Sequence, residues 1–248
     1  MKAIITGASS GIGKDMAIIL SEMGYDLVLV ARRPEPMEEL KKTLKSNVQV
    51  IVLDLSSHEA CNTLYNSVNP KEIDILINNA GFGIYGEFTE TGLQSEIDMI
   101  DINITALHIL TKLFLKDFTV RNSGYILNVS SAAAFLPGPL MAGYYASKAY
   151  VLRLTQAVSE ELAKAGSSVY VGALCPGPVK TEFDVVAGIG PGIRGLESMY
   201  VSKYAIRKML KRKKVIVPGL SMKLAKLFLP IVPDFLVLKM SYIVQKRK

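Results

Sequence analysis

The 248-residue sequence has only two histidines and two cysteines, which limits the kinds of site it could form. His58 and His108 lie in different helical segments, so they predict neither a metal site nor a Ser-His-Asp relay. Cys61 and Cys175 match no metal or redox spacing, which favours a reducing compartment. We therefore expect no metal site and no hydrolase.

Long hydrophobic runs are also missing. No stretch of eighteen apolar residues occurs, so the sequence predicts no membrane-spanning helix. The opening MKAIITGASSG reaches glycine and serine after a few apolar residues, too early for the apolar core of a signal peptide. These features predict a cytoplasmic protein.

Acidic residues are scarce in one part of the chain only. The net charge is +7, and residues 201–248 carry 13 Lys and Arg against the single acidic residue Asp234. Such a segment is most often a solvated face, but it can also contact anionic lipid or nucleic acid. No aromatic interleaving or groove-reading motif accompanies the charges, so nucleic acid is not a predicted partner.

Short apolar runs alternate with helical patterns along most of the chain. The runs lie at 3–6, 26–30, 48–55, 73–78, 124–130 and 168–175, with helical patterns between them, the longest near 92–118 and 143–165. Because the runs are continuously apolar, they predict strands buried on both faces of a parallel sheet. The sequence thus predicts an α/β fold with a doubly wound parallel β-sheet, formed as a single domain by residues 1–219.

The amino-acid composition changes near the C-terminal end. Residues 188–195 are rich in glycine and predict a mobile loop, and 211–219 predict one last strand after a basic turn. Residues 220–248 form an apolar and basic C-terminal extension that is interrupted by Pro230 and Pro233. Three roles are open for it: a lid over the substrate site, a subunit contact, or a segment resting on a membrane surface.

A glycine-rich loop, TGASSGIG at 6–13, separates the first strand from the first helix. Its three glycines, Gly7, Gly11 and Gly13, permit a tight turn and a close backbone approach to a pyrophosphate. The phosphate charge would then lie against free N–H groups at the helix N-terminus. This position in a βαβ unit predicts dinucleotide binding.

The loop resembles the T-G-x-x-x-G-x-G motif of the short-chain dehydrogenase/reductase family. NNAG at 78–81, Asp54, Asn103, CPGPVKT at 175–181 and a Y-x-x-x-K pattern match further motifs of that family. Each match alone has an ordinary explanation as a turn, a cap or a bend, but the set in this order does not. The resemblance implies a Rossmann fold and these coenzyme-binding residues: Thr6, Gly7, Ser9, Ser10, Gly11, Ile12, Gly13, Asp54, Leu55, Asn79, Ala80, Gly81, Tyr144, Lys148, Pro176, Gly177, Val179 and Thr181.

Two arginines follow the second strand, where an acidic residue would favour a free ribose 2′-hydroxyl. The sequence there is Ala31-Arg32-Arg33, with no carboxylate and two guanidiniums that could bind a 2′-phosphate. It predicts NADP(H), with Arg32 as the main contact and Arg33 as the second. Alternatively, one of the two could pair with Glu35 or Glu38 on the surface.

The sequence YYASK at 144–148 raises the question of an acid catalyst. Carbonyl reduction needs a proton donor for the developing alkoxide, but a free tyrosine has a pKa of about 10. A lysine ammonium ~5 Å away at an effective dielectric of ~20 would favour phenolate by ~3 kcal/mol, which is about two pKa units. Both Tyr144 and Tyr145 lie on the helix face of Lys148.

The resemblance selects Tyr144, because only Tyr144 satisfies Y-x-x-x-K. It also implies that Ser131, thirteen residues earlier, polarises the substrate carbonyl, with Ser130 as the substitute if the strand ends one residue earlier. Lys148 would bind the nicotinamide ribose, and Asn103 would anchor a water that relays protons to Lys148. Tyr145 would pack or line the pocket.

The resemblance implies substrate contacts from three segments, 132–143, 182–195 and the C-terminal extension. The first of these, which follows Ser131, is markedly apolar. Residues 132–143 contain Phe135, Leu136, Leu140 and Met141 and no cation, so we expect an apolar ketone, aldehyde or secondary alcohol. The resemblance implies a homo-oligomer, a dimer or tetramer formed through the helices near 92–118 and 143–165. The main prediction is an NADP(H)-dependent oxidoreductase, and the alternative is a non-catalytic dinucleotide-binding sensor or scaffold on the same fold.

Overall fold

A computed structural model describes residues 1–189 and 195–246 of the chain. Seven strands form one parallel sheet in the spatial order β3-β2-β1-β4-β5-β6-β9, and two short strands pair separately. The strands are β1 (Lys2–Thr6), β2 (Asp26–Ala31), β3 (Val48–Val52), β4 (Ile75–Asn78), β5 (Tyr125–Val129), β6 (Tyr170–Leu174), β7 (Val179–Lys180), β8 (Leu196–Glu197) and β9 (Val215–Ile216). The predicted doubly wound α/β fold is confirmed.

Helices cover both faces of the sheet. They are α1 (Gly11–Glu22), α2 (Pro34–Thr43), α3 (His58–Asn66), α4 (Leu93–Ile100), α5 (Leu107–Val120), α6 (Ala142–Lys164), α7 (Phe183–Val186), α8 (Ser198–Leu210), α9 (Leu220–Phe228) and α10 (Asp234–Gln245). Along β1, Ala3 and Ile5 pack with α1 and α8 on one face, whereas Ile4 packs with α5 on the other. Alternate residues of one strand thus enter two different cores, which is why the strands are apolar at every position.

The topology places a crevice beside β1. The strand pairs with β2 on one side and with β4 on the other, so the crossover direction reverses there. In parallel α/β sheets, ligands bind at such a switch point, outside the carboxyl ends of the strands. The glycine loop, NNAG, Asp54, Ser131 and the Pro176-Gly177 bend follow strand ends at this edge of the sheet, whereas Asn103 and the Y-x-x-x-K pair lie on helices.

Three elements differ from the prediction. The long helix is not uniform, because a π-helical stretch (Asp101–Ala106) joins α4 to α5. The predicted final strand at 211–219 is reduced to Val215–Ile216, and α8, which precedes it, was not predicted. The extension consists of α9 and α10, separated by a 3₁₀ turn at Leu229–Ile231.

The glycine-rich loop predicted at 188–195 falls mainly on residues 190–194, which lie outside the described residues. The proposed boundary between the domain and its extension at 219/220 stays a prediction. No helix among the described residues is both long and apolar enough to cross a membrane.

A buried polar network ties the central strands to the helices behind them. Asn78 Nδ2 donates to Thr111 Oγ1 (3.0 Å) and to Asn128 Oδ1 (2.9 Å), and Asn128 Nδ2 donates to Thr155 Oγ1 (3.0 Å). These bonds join β4, β5, α5 and α6, and Asn128 is fully buried. Each partner would be left unsatisfied in an apolar interior if another were removed.

We predict that Asn128→Ala lowers the free energy of unfolding by about 2 kcal/mol or more, because it strands buried donors and acceptors. Urea unfolding at neutral pH would measure the change. Asn66→Ala, at an exposed position, is the matched control and should change stability by less than about 0.5 kcal/mol. Equal losses in the two variants would contradict the role given to the network.

Candidate active site

The glycine loop has the backbone geometry that a phosphate site needs. Gly7 and Gly11 have φ values of 65° and 52°, in the left-handed region that favours glycine. A Cβ atom at Gly7 would lie 2.8 Å from Ala80 Cα, and one at Gly11 would lie 2.8 Å from Thr181 Cγ2. The loop therefore packs against the segments that follow β4 and β6. Ser10 is the N-cap residue of α1, and its side chain makes no capping hydrogen bond. The first N–H groups of α1 thus fit an anionic ligand.

Hydrogen bonds lock the loop to the end of β4. Thr6 Oγ1 accepts from the backbone N–H groups of Asn79 and Ala80, both at 3.0 Å. Asn79 Nδ2 in turn donates to the carbonyl oxygens of Thr6 and Gly7, both at 3.0 Å. Thr6 is itself buried, so its side chain supports the loop and does not face the cleft.

Both arginines after β2 line the cleft, and each has an acidic neighbour that sequence did not predict for it. Arg33 Nη2 lies 2.7 Å from Glu182 Oε2 and 3.3 Å from Ser9 Oγ. Arg32 Nη1 lies 3.8 Å from Asp54 Oδ2, a looser contact between exposed groups. The suggested pairing with Glu35 or Glu38 is therefore wrong for both arginines.

Tyr144, Ser131 and Lys148 meet at the inner end of the same cleft. Ser131 Oγ accepts from Ala133 N–H at 3.1 Å, and the Ser131 hydroxyl lies close enough to the Tyr144 hydroxyl to lower the pKa of that phenol. Lys148 Nζ lies 5.8 Å from the centroid of the Tyr144 ring and donates to the carbonyl oxygen of Val129 at 3.1 Å. These three side chains come from the end of β5 and the start of α6.

Burial governs the protonation of this cluster. It raises the pKa of Tyr144 to about 12, with the Ser131 hydrogen bond partly opposing it, and it lowers the pKa of Lys148 to about 8. The expectation that Lys148 brings the phenol below its usual pKa is wrong in this structure. The reason is that desolvation of the buried phenolate dominates this pKa, and the Lys148 ammonium donates to a backbone carbonyl oxygen.

Asn103 lies in the π-helical stretch and is fully buried behind the cleft wall. Its Oδ1 accepts from Phe82 N–H (3.1 Å), and its Nδ2 donates to Phe82 O (2.9 Å) and to Ser147 Oγ (3.0 Å). A Cβ atom at Gly81 would lie 2.6 Å from Asn103 Oδ1 and 3.2 Å from Lys148 Nζ. Asn103 and Lys148 thus both approach the backbone of Gly81, where no side chain stands between them and the loop. π-Helical turns such as the one that carries Asn103 are frequent at functional sites.

The directions of the side chains distinguish Ser131 from Ser130, and Tyr144 from Tyr145. Ser130 Oγ donates to the backbone carbonyl of Lys148 at 2.8 Å and is buried, so its hydroxyl is occupied within the fold. Tyr145 has its hydroxyl bonded to the side-chain amide of Gln245 in α10. The Ser131 hydroxyl instead lies beside the Tyr144 hydroxyl, close enough to lower its pKa.

The cleft has a volume of about 590 Å³, within the range of cofactor and ligand sites. Most of the predicted coenzyme-binding residues line it: Gly7, Ser9, Ser10, Gly11, Ile12, Arg32, Arg33, Asp54, Leu55, Asn79, Ala80, Gly81, Tyr144, Lys148, Pro176, Gly177, Val179 and Thr181. Thr6, Gly13 and Asn103 lie behind its wall. The donors and backbone cradle thus fit a dinucleotide.

The substrate end of the cleft is apolar, although not with all the predicted residues. Leu136 and Met141 line it, whereas Phe135 packs in a separate core with Lys226 over its ring. Sequence reasoning missed Phe82 and Ile102 as parts of the site. Glu182 and Gln245 fall in the predicted substrate segments 182–195 and 220–248, but nothing local indicated that Glu182 would bind Arg33 or that Gln245 would contact Tyr145.

Sequence and structure comparisons agree with this geometry. The family model described as short chain dehydrogenase matches residues 1–188 of the chain. The chain belongs to the short-chain dehydrogenase family. An uncharacterized oxidoreductase of Staphylococcus epidermidis is 34% identical over 182 residues, covering 72% of this chain and 78% of the relative. Mouse 17-beta-hydroxysteroid dehydrogenase type 3 is 34% identical over 186 residues, covering 72% and 60%.

Solved structures of the family superpose over nearly the whole chain. A short-chain dehydrogenase from Sphingobium yanoikuyae in complex with NADPH is 31% identical, with a TM-score of 0.83 and 91% of each chain covered. A bulky-bulky ketone specific alcohol dehydrogenase from Comamonas testosteroni is 28% identical, with a TM-score of 0.79 and 94% of each chain covered. The protein is thus an oxidoreductase of this family with a Rossmann-type nucleotide-binding fold.

The depressed pKa of Lys148 predicts a pH-dependent contribution to stability. Between pH 8 and the ordinary value of 10.5, the unfolded chain binds more protons than the folded chain. Stability of the wild type relative to Lys148→Met should therefore rise across this interval, by up to about 3 kcal/mol. Chemical denaturation at pH 7.5 and pH 10 would measure it.

Lys164→Met, at an exposed position of the same helix, is the matched control and should show no such trend. A wild-type advantage over Lys148→Met that is constant with pH would contradict the inferred pKa.

Proposed function

We propose that the protein is an NADP(H)-dependent oxidoreductase that transfers hydride between the nicotinamide and an apolar carbonyl compound or secondary alcohol. The observation that carries the proposal is the Ser131–Tyr144 hydroxyl pair, with Lys148 beside it, at the inner end of the cleft that the glycine loop opens. NADPH, when bound, supplies the hydride in the reduction direction.

Tyr144 is the proposed general acid and base. A pKa of about 12 keeps its phenol protonated at neutral pH, so it can donate a proton to the oxygen of a carbonyl as negative charge develops there. Ser131 donates a second hydrogen bond to that oxygen, and the Ala133 N–H bond holds the serine oxygen in place. Both donors are fixed before the reaction begins.

Lys148 has two proposed roles. With a pKa of about 8 it is mainly charged at neutral pH, and its ammonium stabilises phenolate character on Tyr144 as the proton leaves. Its second proposed role is to bind the nicotinamide ribose. Asn103 positions the neighbouring backbone at Phe82 and, through Ser147, the first turn of α6, since Ser147 Oγ donates to Tyr144 O at 2.7 Å.

The NADP(H) preference rests on Arg32 and Arg33. Arg32 is the main proposed contact for the 2′-phosphate, because its only ion pair among the described residues is the loose one with Asp54. Arg33 is held by Glu182 and Ser9 and serves as the second contact. The Sphingobium structure, solved with NADPH, supports the same choice.

An apolar substrate is supported by the walls of the inner cleft. Leu136, Met141, Phe183, Val186 and Val244 line it, and Phe183 packs 5.2 Å from the Tyr144 ring centroid. Among the described lining residues, the only cations are Arg32, Arg33 and Lys148, and all three have proposed roles toward the coenzyme. A carboxylate or phosphate on the substrate would therefore find no counter-ion of its own.

A homo-oligomer is also proposed. Leu93, Ile97 and Ile100 lie on one stripe of α4 and are exposed, at 77%, 42% and 36%. Exposed apolar stripes of this kind mark protein contacts. Size-exclusion chromatography with light scattering would show a dimer or tetramer, and a monomer at micromolar concentration would contradict it.

We predict that Tyr144→Phe lowers kcat by at least about 100-fold, because no other proton donor replaces the phenol. Coenzyme binding, measured by NADPH fluorescence, should persist. Tyr145→Phe is the control and should change kcat less than about threefold, since its hydroxyl bonds to Gln245. A substrate for these assays is found by screening a broad panel of apolar ketones and aldehydes for loss of NADPH absorbance.

Two outcomes would contradict this assignment. Loss of turnover in Tyr145→Phe alone would reverse the roles of the tyrosines. NADPH binding with no turnover across the panel would favour a sensor or scaffold.

We predict that Arg32→Ala raises the KM for NADPH by at least about tenfold and leaves the KM for NADH unchanged, since it removes a charge-assisted bond to the 2′-phosphate. Arg153→Ala, a surface arginine of α6, is the control. Steady-state kinetics with both coenzymes would measure the effect. An equal or higher kcat/KM of the wild type with NADH would refute the preference.

A further inference from the structure

The outer face of α9 is an exposed apolar stripe. Leu220, Leu224 and Leu227, together with Ile231 in the following turn, recur at helical spacing and are 72%, 47%, 68% and 75% exposed. Phe228 beside them is 52% exposed. The opposite face, with Met222, packs on Gly177 beside the cleft. One side of this helix is therefore fixed to the domain, and the apolar side is left facing outward.

The second helix, α10, repeats the arrangement. Val237, Ser241 and Gln245 form its buried face, four residues apart. Its outer face mixes apolar side chains with basic ones: Phe235, Leu236, Met240 and Ile243 are exposed, at 68%, 41%, 64% and 44%, and Lys239 and Lys246 lie among them. Lysines in such positions can cover apolar surface with their methylene stems and extend the ammonium outward.

A basic surface without counter-ions continues from these helices onto α8. Arg207, Lys208 and Lys223 converge on Tyr204, with distances of 5.7, 5.5 and 5.3 Å to its ring centroid. Lys226, Lys239 and Lys246 of α9 and α10 add to this basic surface. Within the described part of the chain, none of these six Lys and Arg forms an ion pair. The positive charge of this surface is thus not neutralised by the protein.

We propose that α9 and α10 form a docking surface for an anionic lipid bilayer, on which the protein lies without crossing it. Exposed leucine, isoleucine and phenylalanine enter the boundary of the acyl chains, while the lysines bind the headgroups. A nucleic acid would satisfy the charge but would leave the apolar stripe exposed. A second copy docked on the same face would set this basic surface against itself, which like-charge repulsion opposes.

The surface adjoins the mouth of the cleft. Met222 of α9 and Val244 of α10 line the cleft, and the Gln245 side chain bonds to Tyr145 within it. Docking would therefore bring the open end of the site to the layer in which apolar molecules concentrate. The docking itself does not depend on the proposed reaction and can be tested without turnover.

Co-sedimentation of the full chain with vesicles tests the proposal. We expect binding to phosphatidylcholine vesicles containing phosphatidylglycerol to be at least about tenfold stronger than binding to phosphatidylcholine alone, and to weaken as salt rises. Leu227→Gln with Phe228→Gln, and separately Lys223→Glu with Lys239→Glu, should each lower the partition coefficient by about tenfold or more.

The matched controls remove equivalent side chains elsewhere. Phe88→Gln with Val120→Gln replaces two apolar residues that are 71% and 90% exposed, and Lys41→Glu with Lys45→Glu makes the same charge change. Both should bind vesicles within about twofold of the wild type. Unchanged thermal unfolding would show that all four variants fold.

Three results would overturn the proposal. The first is no binding to anionic vesicles. The second is binding that survives the loss of Leu227 and Phe228, which would make the surface a purely electrostatic one, of the kind that binds nucleic acid. The third is a change of oligomeric state in the tail variants without any change in vesicle binding, which would make this face a contact between copies of the chain.

Discussion

The hydrogen bonds between the end of β1 and the segment after β4 hold the site together. Thr6 and Asn79 exchange bonds across the two strands, so the phosphate loop and the Asn79–Ala80–Gly81 segment keep one relative position. This is the place where the strand order reverses, and the cleft opens directly above it. Gly81 extends this packing to the inner site, because a Cβ atom there would collide with Asn103 and crowd Lys148.

Burial sets the protonation states of the inner site. It shifts the pKa of Tyr144 in the direction opposite to the one expected from the charge of Lys148 alone. Desolvation raises the pKa of Tyr144 and lowers that of Lys148, so each group is biased toward its neutral form. A nearby ammonium stabilises a phenolate only to the extent that neither group has lost too much hydration. The sign of the net shift therefore depends on the depth of the cleft as well as on the spacing of two residues in a helix.

The C-terminal helices add a second layer to the same cleft. Gln245 reaches Tyr145 across a sequence separation of 100 residues, and the Tyr85 hydroxyl donates to the Gln245 carbonyl at 3.1 Å. These contacts fix the inner faces of the helices, while their outer faces stay apolar and basic. One short extension thus helps to shape the substrate pocket and presents a charged, apolar surface to the exterior.

Local sequence determined much of this protein. The alternation of apolar runs and helical patterns was enough to predict the parallel sheet. The glycine loop, NNAG and Y-x-x-x-K were enough to predict a cleft at the carboxyl ends of the strands. Both predictions succeed because the period of apolar residues and the spacing of motifs are local properties of the sequence. Only the tertiary structure decided which side chains meet: Ser130 bonds to the backbone of α6, Ser131 lies beside Tyr144, and Glu182 binds Arg33. It also decided that the long helix contains a π-helical turn. Finally, burial raises the pKa of Tyr144, where sequence predicted that it would be lowered. Side-chain direction, desolvation and partners distant in sequence depend on how the elements pack together, and no local pattern carries that information.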